Sequence, residues 1–160
     1  MRPMATQSCS TSPPVGFIVT TNCFQAWVAV RDGQVVGHVS LHTVWSDTVA
    51  RLASSHTKCE RTEIGAISRL FVAPSSRGND LGRSLLDVAV TEATIRGLYP
   101  VLDVVTTYES AIALYESAGW ERIGIASVDM SNGESIDEYV YVFDGVGPNR
   151  SGDALSWSPS

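Results

Sequence analysis

Between Leu70 and Leu86 the chain reads LFVAPSSRGNDLGRSLL: an apolar strand halted at Pro74, a short basic turn containing glycine, and an amphipathic helix that begins abruptly. A strand that runs straight into a helix brings the helix's first backbone N–H groups, which have no partner inside the helix, to the end of the strand. Those donors and the positive end of the helix dipole favour an anion, and Arg77 and Arg83 add full charges beside them. The turn reads as a cradle for a pyrophosphate. It lacks the Gly-Lys-Ser/Thr ending of a Walker loop and the Gly-x-Gly-x-x-Gly of a Rossmann dinucleotide turn. Its spacing is Arg-x-x-Gly-x-Gly with one departure: Arg77, Gly78, Asn79, Asp80, Leu81, Gly82. Many strand-turn-helix junctions hold no phosphate, so the turn by itself leaves that reading open as well.

On either side of this junction the pattern alternates between strand and helix. Asp32-Gly33 sits between Ala26–Val30 and Gln34–Val44, a hairpin signal flanked by strand-forming residues. Ser46 to Glu60 is ambiguous: Ser46 or Asp47 could cap a short helix through Leu52, but the Ser54-Ser55 pair and the polar residues beyond favour a loop. Ile64 to Ala73 reads as a strand, and Leu81 to Ile95 as a helix with Leu81, Leu85, Val88 and Ala89 on one face and Gly97 as its stop. After Pro100, Val101 to Val105 reads as a buried strand, followed by Thr106-x-x-Glu109, capping-box spacing for a helix through Ala118 ended by Gly119. Strands near Trp120–Val128 and Glu138–Phe143 flank an Asn132-Gly133 turn. A right-handed crossover in the middle requires a parallel strand pair, whereas the terminal hairpins are antiparallel. The expected class is α/β, also describable as α+β: a mixed, mostly antiparallel central sheet with flanking helices. Residues 1–14 and 145–160, rich in Ser, Thr, Pro and Gly, read as flexible tails around one domain at 15–144.

A net charge of −6 argues against nucleic acid and anionic membranes, which need a basic surface, and favours a neutral or cationic substrate. No apolar run reaches membrane-spanning length and no secretory leader is visible, so a soluble, cytoplasmic protein is expected. Cys9, Cys23 and Cys59 lack CxxC spacing and fit a reducing compartment better than a disulfide framework. His38, His42 and His56 form no zinc pattern with them, and no metal is expected.

The order of elements, the Arg77–Gly82 turn, and the later segment SAIALYESAGW (Ser110–Trp120) together resemble the GNAT superfamily of acyl-CoA-dependent N-acyltransferases over roughly residues 25–143. The resemblance implies acetyl-CoA as cosubstrate and direct attack by a small-molecule or peptide amine, with no covalent enzyme intermediate. It further implies that backbone groups of Phe71, Val72 and Ala73 pair with the pantetheine arm as an added strand would. The amides of Arg77, Gly78, Asn79, Asp80, Leu81, Gly82 and Arg83 would hold the pyrophosphate. Tyr115 would protonate the departing thiolate, its ordinary pKa of about 10 being matched to an alkyl thiol. Read from periodicity instead, Tyr115 shares a buried stripe with Ala111, Leu114 and Ala118 and could be a core tyrosine. Glu63, at the start of the strand leading to the turn, is the first choice of general base, with His38 and His42 as alternatives.

Three features depart from the family pattern. Asp80 replaces a signature glycine and places a carboxylate by the phosphates, a penalty on the order of 1 kcal/mol in an exposed turn. Tyr108 stands where many relatives carry Asn. Relatives begin with a strand and two helices that wall the acceptor site, whereas about 25 tail-like residues precede the first hairpin here, so half the acceptor wall is expected to be missing, the chain being a shortened reading frame, a fragment of a tandem protein, or a domain that completes its site as a homodimer. The rival reading is a degenerate acyl-CoA-binding or regulatory module without turnover.

Overall fold

The computed structural model describes residues 22–145 and the backbone of residues 5–8. Its elements are β1 (Ala5–Ser8), β2 (Cys23–Arg31), β3 (Gln34–Thr43), α1 (Asp47–Thr57), β4 (Ile64–Val72), α2 (Leu81–Ile95), β5 (Tyr99–Val105), α3 (Glu109–Ser117), β6 (Glu121–Asp129) and β7 (Ser135–Val142), with single 3₁₀ turns at Arg61–Glu63 and Pro74–Ser76. The seven strands form one sheet in the order β1-β2-β3-β4-β5-β7-β6. Every pairing is antiparallel except β4 with β5. The expected mixed, mostly antiparallel α/β class is therefore the observed one.

Local chemistry accounts for most of these elements. Asp32 and Gly33 both take positive φ, 52° and 77°, as a two-residue hairpin whose twist matches its strands requires. Helix α2 buries Leu81, Leu85, Leu86, Ala89, Val90 and Ala93 against β3, β4 and β5. It lies with α3 on one face of the sheet, over a core that includes Trp27, Val39, Leu41, Leu102 and Tyr141. Helix α1 covers the other face, over Ile64, Ala66, Val101, Val140 and Val142.

Several expectations are corrected. Ser46–Glu60 is chiefly helix, not loop: Ser46 caps α1 by accepting from the Val49 amide at 3.4 Å, and Lys58 ends it in a left-handed conformation. The apolar stripe Val49, Ala50 and Ala53 buries on the sheet, which outweighs the weak helix preference of Ser54 and Ser55. Helix α3 starts at Glu109 with Tyr108 as its N-cap and no side-chain cap, so the Thr106 capping box does not form. The reciprocal box appears at Glu60 and Glu63 instead. Strand β7 begins at Ser135, three residues before Glu138. Of the segment 1–14 expected as a tail, Ala5–Ser8 pairs antiparallel with β2; apart from Gly145, the rest of both tail readings lies outside the described residues. Cys59 is free and buried, but Cys23 is disulfide-bonded, which corrects the reading of three reduced thiols. Among the described residues no helix is long and apolar enough to cross a membrane.

Candidate active site

The sheet has a gap at its centre. β4 and β5 pair only through Ile64–Tyr99, Gly65–Pro100 and Ala66–Val101; beyond Ala66 the strands part, leaving Ile67–Val72 and Leu102–Val105 unpaired across the opening. On its other edge β4 is bulged against β3, where the register shifts between His38 and Ser40, and Arg69 sits in the bulge with φ 54°. A non-glycine residue in this region costs on the order of 1–2 kcal/mol and persists only where its surroundings fix it. Here His38 Nδ1 donates to the Arg69 carbonyl at 2.9 Å, and Ser40 Oγ donates to the Ser68 carbonyl at 3.1 Å.

Two clefts open from this gap, and they meet at Leu70, Tyr108, Ala111 and Tyr115. The first runs from Leu70–Val72 across Ser76–Gly78 to the start of α2 and the N-terminal half of α3. The amides of Leu81, Gly82 and Arg83 point from the first turn of α2 with no hydrogen bond to a described residue; the first bond of the helix is Ser84 N to the Asp80 carbonyl at 3.0 Å. Asp80 caps the helix in a left-handed conformation, φ 55°, without a side-chain cap bond. A Cβ on Gly82 would lie 3.0 Å from Leu114 Cδ2, so glycine is what lets α2 approach α3 there. Phe71, Val72, Arg77, Gly78, Asp80, Leu81, Gly82 and Arg83 all line this cleft; Ala73 and Asn79 do not. The Ala73 amide is committed to the Val36 carbonyl at 2.7 Å and is not available to a ligand. Arg77 Nε donates to the Val72 carbonyl at 3.3 Å, while Arg83 reaches away to the carbonyl and Oγ of Ser117 at 3.3 and 3.1 Å. The Arg83 guanidinium thus ties α2 to α3.

The left-handed backbone at Asp80 explains why a glycine suits this position, and it gives a direct test of the turn. With Asp80→Gly, removing about 1 kcal/mol of repulsion should tighten acetyl-CoA binding roughly fivefold by calorimetry. The unfolding midpoint should stay within about 2 °C, because relief of strain is offset by the greater freedom of glycine in the unfolded chain. Unchanged or weaker affinity would remove the anion from this turn.

The second cleft lies across the gap and is lined by His42, Trp45, Ile67 to Leu70, Asp103 to Val105 and Glu138, among others. Tyr115 stands where the clefts join, and its hydroxyl makes no hydrogen bond to a described residue. Its ring packs on Trp120 at 6.4 Å and Tyr141 at 6.0 Å between centroids. Helix α3 is held in turn by Glu116, whose Oε1 accepts from Tyr141 Oη at 2.9 Å and from Arg122 at 2.5 Å. Burial first, then the nearby Asp103 and Tyr141, push the Tyr115 phenol up to about 12, above the ordinary value expected from sequence.

Glu63 is not at the site. Its carboxylate accepts from the Glu60 amide at 2.8 Å at the opposite end of β4, roughly 20 Å from Leu70 at about 3.3 Å per residue. His42 does line the second cleft, but burial and the charges of Arg69 and His38 lower its pKa to about 4. The pair sequence reasoning missed is Asp103 and Glu138. Glu138 pairs with Val105 across the β5–β7 ladder, so Asp103 is its diagonal neighbour on the same face. Burial first, then the neighbouring Asp103 carboxyl, raise Glu138 to about 8. Glu138 Oε2 is buried with no hydrogen-bond partner. The alternation of Asp103 within an apolar strand was the available signal for one of the pair; nothing local linked it to Glu138.

His56, Glu121 and Asp144 bring donor atoms within 4.8 Å of one another on the exposed surface. None of them lines either cleft.

Residues 7–120 match the profile of the acetyltransferase (GNAT) family. The chain belongs to the GNAT acetyltransferase family. Among solved structures, this GNAT domain resembles the ribosomal-protein-alanine N-acetyltransferase of Brucella melitensis, with 26% identity and TM-score 0.56 over 74% of this chain and 67% of that one. It also shares the fold of Arabidopsis thaliana NAA60 in complex with acetyl-CoA, with 18% identity and TM-score 0.61 over 78% of this chain and 77% of the other. A curated relative, an uncharacterised protein of Mycobacterium leprae, is 42% identical over 59 residues, 37% of this chain. The GNAT chain matches only 16% of that relative's length.

Proposed function

We propose that this GNAT domain transfers an acetyl group from acetyl-CoA to a primary amine by direct attack. The observation that carries the reading is the row of three unbonded amides, Leu81, Gly82 and Arg83, opening into a cleft that continues to Tyr115 and the parted strands. Diphosphate at those amides meets the positive end of α2. The exposed edge of Leu70–Val72 then offers backbone groups to an extended pantetheine arm. An acetyl group carried into the gap lies between the two clefts, so an amine arriving from the second side reaches it without crossing the protein. Alignment of the two reactants in this gap lowers the barrier mainly by orientation. Tyr115, protonated throughout the neutral range, donates to sulfur as the C–S bond breaks. The Brucella melitensis structure, a ribosomal-protein-alanine N-acetyltransferase, and the acetyl-CoA complex of Arabidopsis thaliana NAA60 support this reading.

Two measurements test it together. Calorimetry with acetyl-CoA should give saturable heat, and a hundredfold excess over Kd should add roughly 2.7 kcal/mol of stability. Arg77→Glu should weaken binding at least tenfold. Thiol release with a panel of primary amines then separates transfer from binding alone. The binding-module reading keeps one supporting observation, the Asp80 carboxylate at the mouth of the cradle, and predicts heat without thiol release for every amine.

A further inference from the structure

We infer that Glu138, held by Asp103, is the group that takes the proton from the acceptor's ammonium, and that the acceptor therefore enters the second cleft as an alkylammonium cation. This rests on the acetyl-transfer reading above.

Glu138 and Asp103 lie on adjacent strands beside the opening between β4 and β5 and line the cleft opposite the coenzyme side. Tyr115, reached from both clefts, marks where the reacting carbon must sit. Two carboxyls set as diagonal neighbours in a partly buried cleft repel one another when both are charged, which disfavours the ionised form of Glu138. One oxygen of that pair, Glu138 Oε2, remains without a donor. An ammonium entering the cleft places a cation beside the partly exposed Glu138 and supplies the charge that lets its carboxyl ionise. Two exposed aromatic rings on the same cleft, Trp45 and Tyr108, suit a cation as well. The alternatives fit less well: Glu63 is at the other end of its strand, and the buried His42 resists protonation.

The titratable or charged groups facing Glu138 are Asp103 on β5, Arg69 on β4, His42 on β3, and Tyr108 and Tyr115 at the start and within α3. Of these, Asp103 is the one that raises its pKa. In the reaction the Glu138 carboxylate accepts one ammonium proton, and the freed lone pair forms the N–C bond at the thioester carbonyl. The C–S bond breaks, and the Tyr115 hydroxyl protonates sulfur. Of the three ammonium protons, one stays on the amide, one restores the Tyr115 hydroxyl and one leaves through Glu138 to water. The net products are amide, thiol and one proton.

The test compares wild type, Glu138→Gln and Asp103→Asn, using calorimetry with acetyl-CoA and the pH dependence of kcat/KM for putrescine, tryptamine and an alanine-starting peptide. Wild type should rise with pH through an apparent pKa near about 8 and then level, since the carboxylate form is the active one. Asp103→Asn removes the repelling charge, so the rise should move to lower pH. Glu138→Gln should lose about a hundredfold near neutrality. Its remaining rate should climb tenfold per pH unit toward the amine's own pKa, where free base forms in solution. Coenzyme heat should be the same in all three. A Glu138→Gln rate within threefold of wild type, or a rise unmoved by Asp103→Asn, overturns the inference while leaving acetyl transfer standing. Heat in wild type with no amine acetylated overturns the inference and favours the binding module. Absence of heat in wild type overturns the coenzyme reading itself.

Discussion

Tyr115→Phe is expected to lower kcat about a hundredfold while leaving the Kd for acetyl-CoA within threefold. The variant keeps the ring packed on Trp120 and Tyr141 and removes only the hydroxyl, which makes no hydrogen bond to a described residue. Among the described residues there is thus no structural hydrogen bond for the variant to lose. Because burial pushes the phenol up to about 12, it is protonated at neutral pH, the form the proposed donor role requires. It is a weaker acid than a free thiol, so in the proposed reaction it first hydrogen-bonds the sulfur as negative charge builds there, and its proton passes to sulfur only as the amine's proton replaces it. Thiol release under saturating substrates measures kcat, and calorimetry measures Kd. A kcat within threefold of wild type would return Tyr115 to the core.

Leu85→Ala is expected to cost about 3–5 kcal/mol of stability. Leu85 is completely buried, and its Cδ1 fills the space above Gly37: a Cβ there would lie only 2.9 Å from it. Truncation empties the contact through which α2 rests on β3, and the glycine opposite offers no side chain to collapse into the hole. At roughly 2–4 °C per kcal/mol for a chain of this size, the thermal midpoint should fall by about 10 °C. Leu85→Met, which conserves volume, should cost less than about 1.5 kcal/mol. Helix α2 also carries the Leu81–Arg83 amides, so acetyl-CoA should recover part of the lost stability by mass action. A loss under about 1 kcal/mol for Leu85→Ala would show that α2 is not held at this point. Denaturant unfolding of the three proteins, with and without acetyl-CoA, supplies the free energies, and thermal unfolding supplies the midpoints.

Much of the strand-turn-helix junction was legible because its causes are local. Pro74 ends a strand, Gly78 permits a positive φ, and the apolar stripe Leu81, Leu85 and Ala89 specifies a helix. The side-chain partner of Arg83 was not legible in this way: its guanidinium donates to Ser117, 34 residues away. Helix α1 was missed because its small, polar residues prefer a helix only weakly, and the energy that fixes it comes from burial of Val49, Ala50 and Ala53 on the distant face formed in part by Ala126, Val140 and Val142.

What the sequence alone determined are the features set by neighbouring residues: the Asp32-Gly33 turn, α2 with its leading amides, and the mixed class of the sheet. Tertiary structure decided where the chemistry sits. The order β5-β7-β6 inserts the last strand beside the fifth and so brings Glu138 to Asp103. The parting of β4 from β5 after Ala66 opens the site, and the enclosure of Tyr115 by Trp120 and Tyr141 changes its acidity. Strand order, gaps and desolvation depend on groups far apart in the chain, and their free energies exist only once those groups meet.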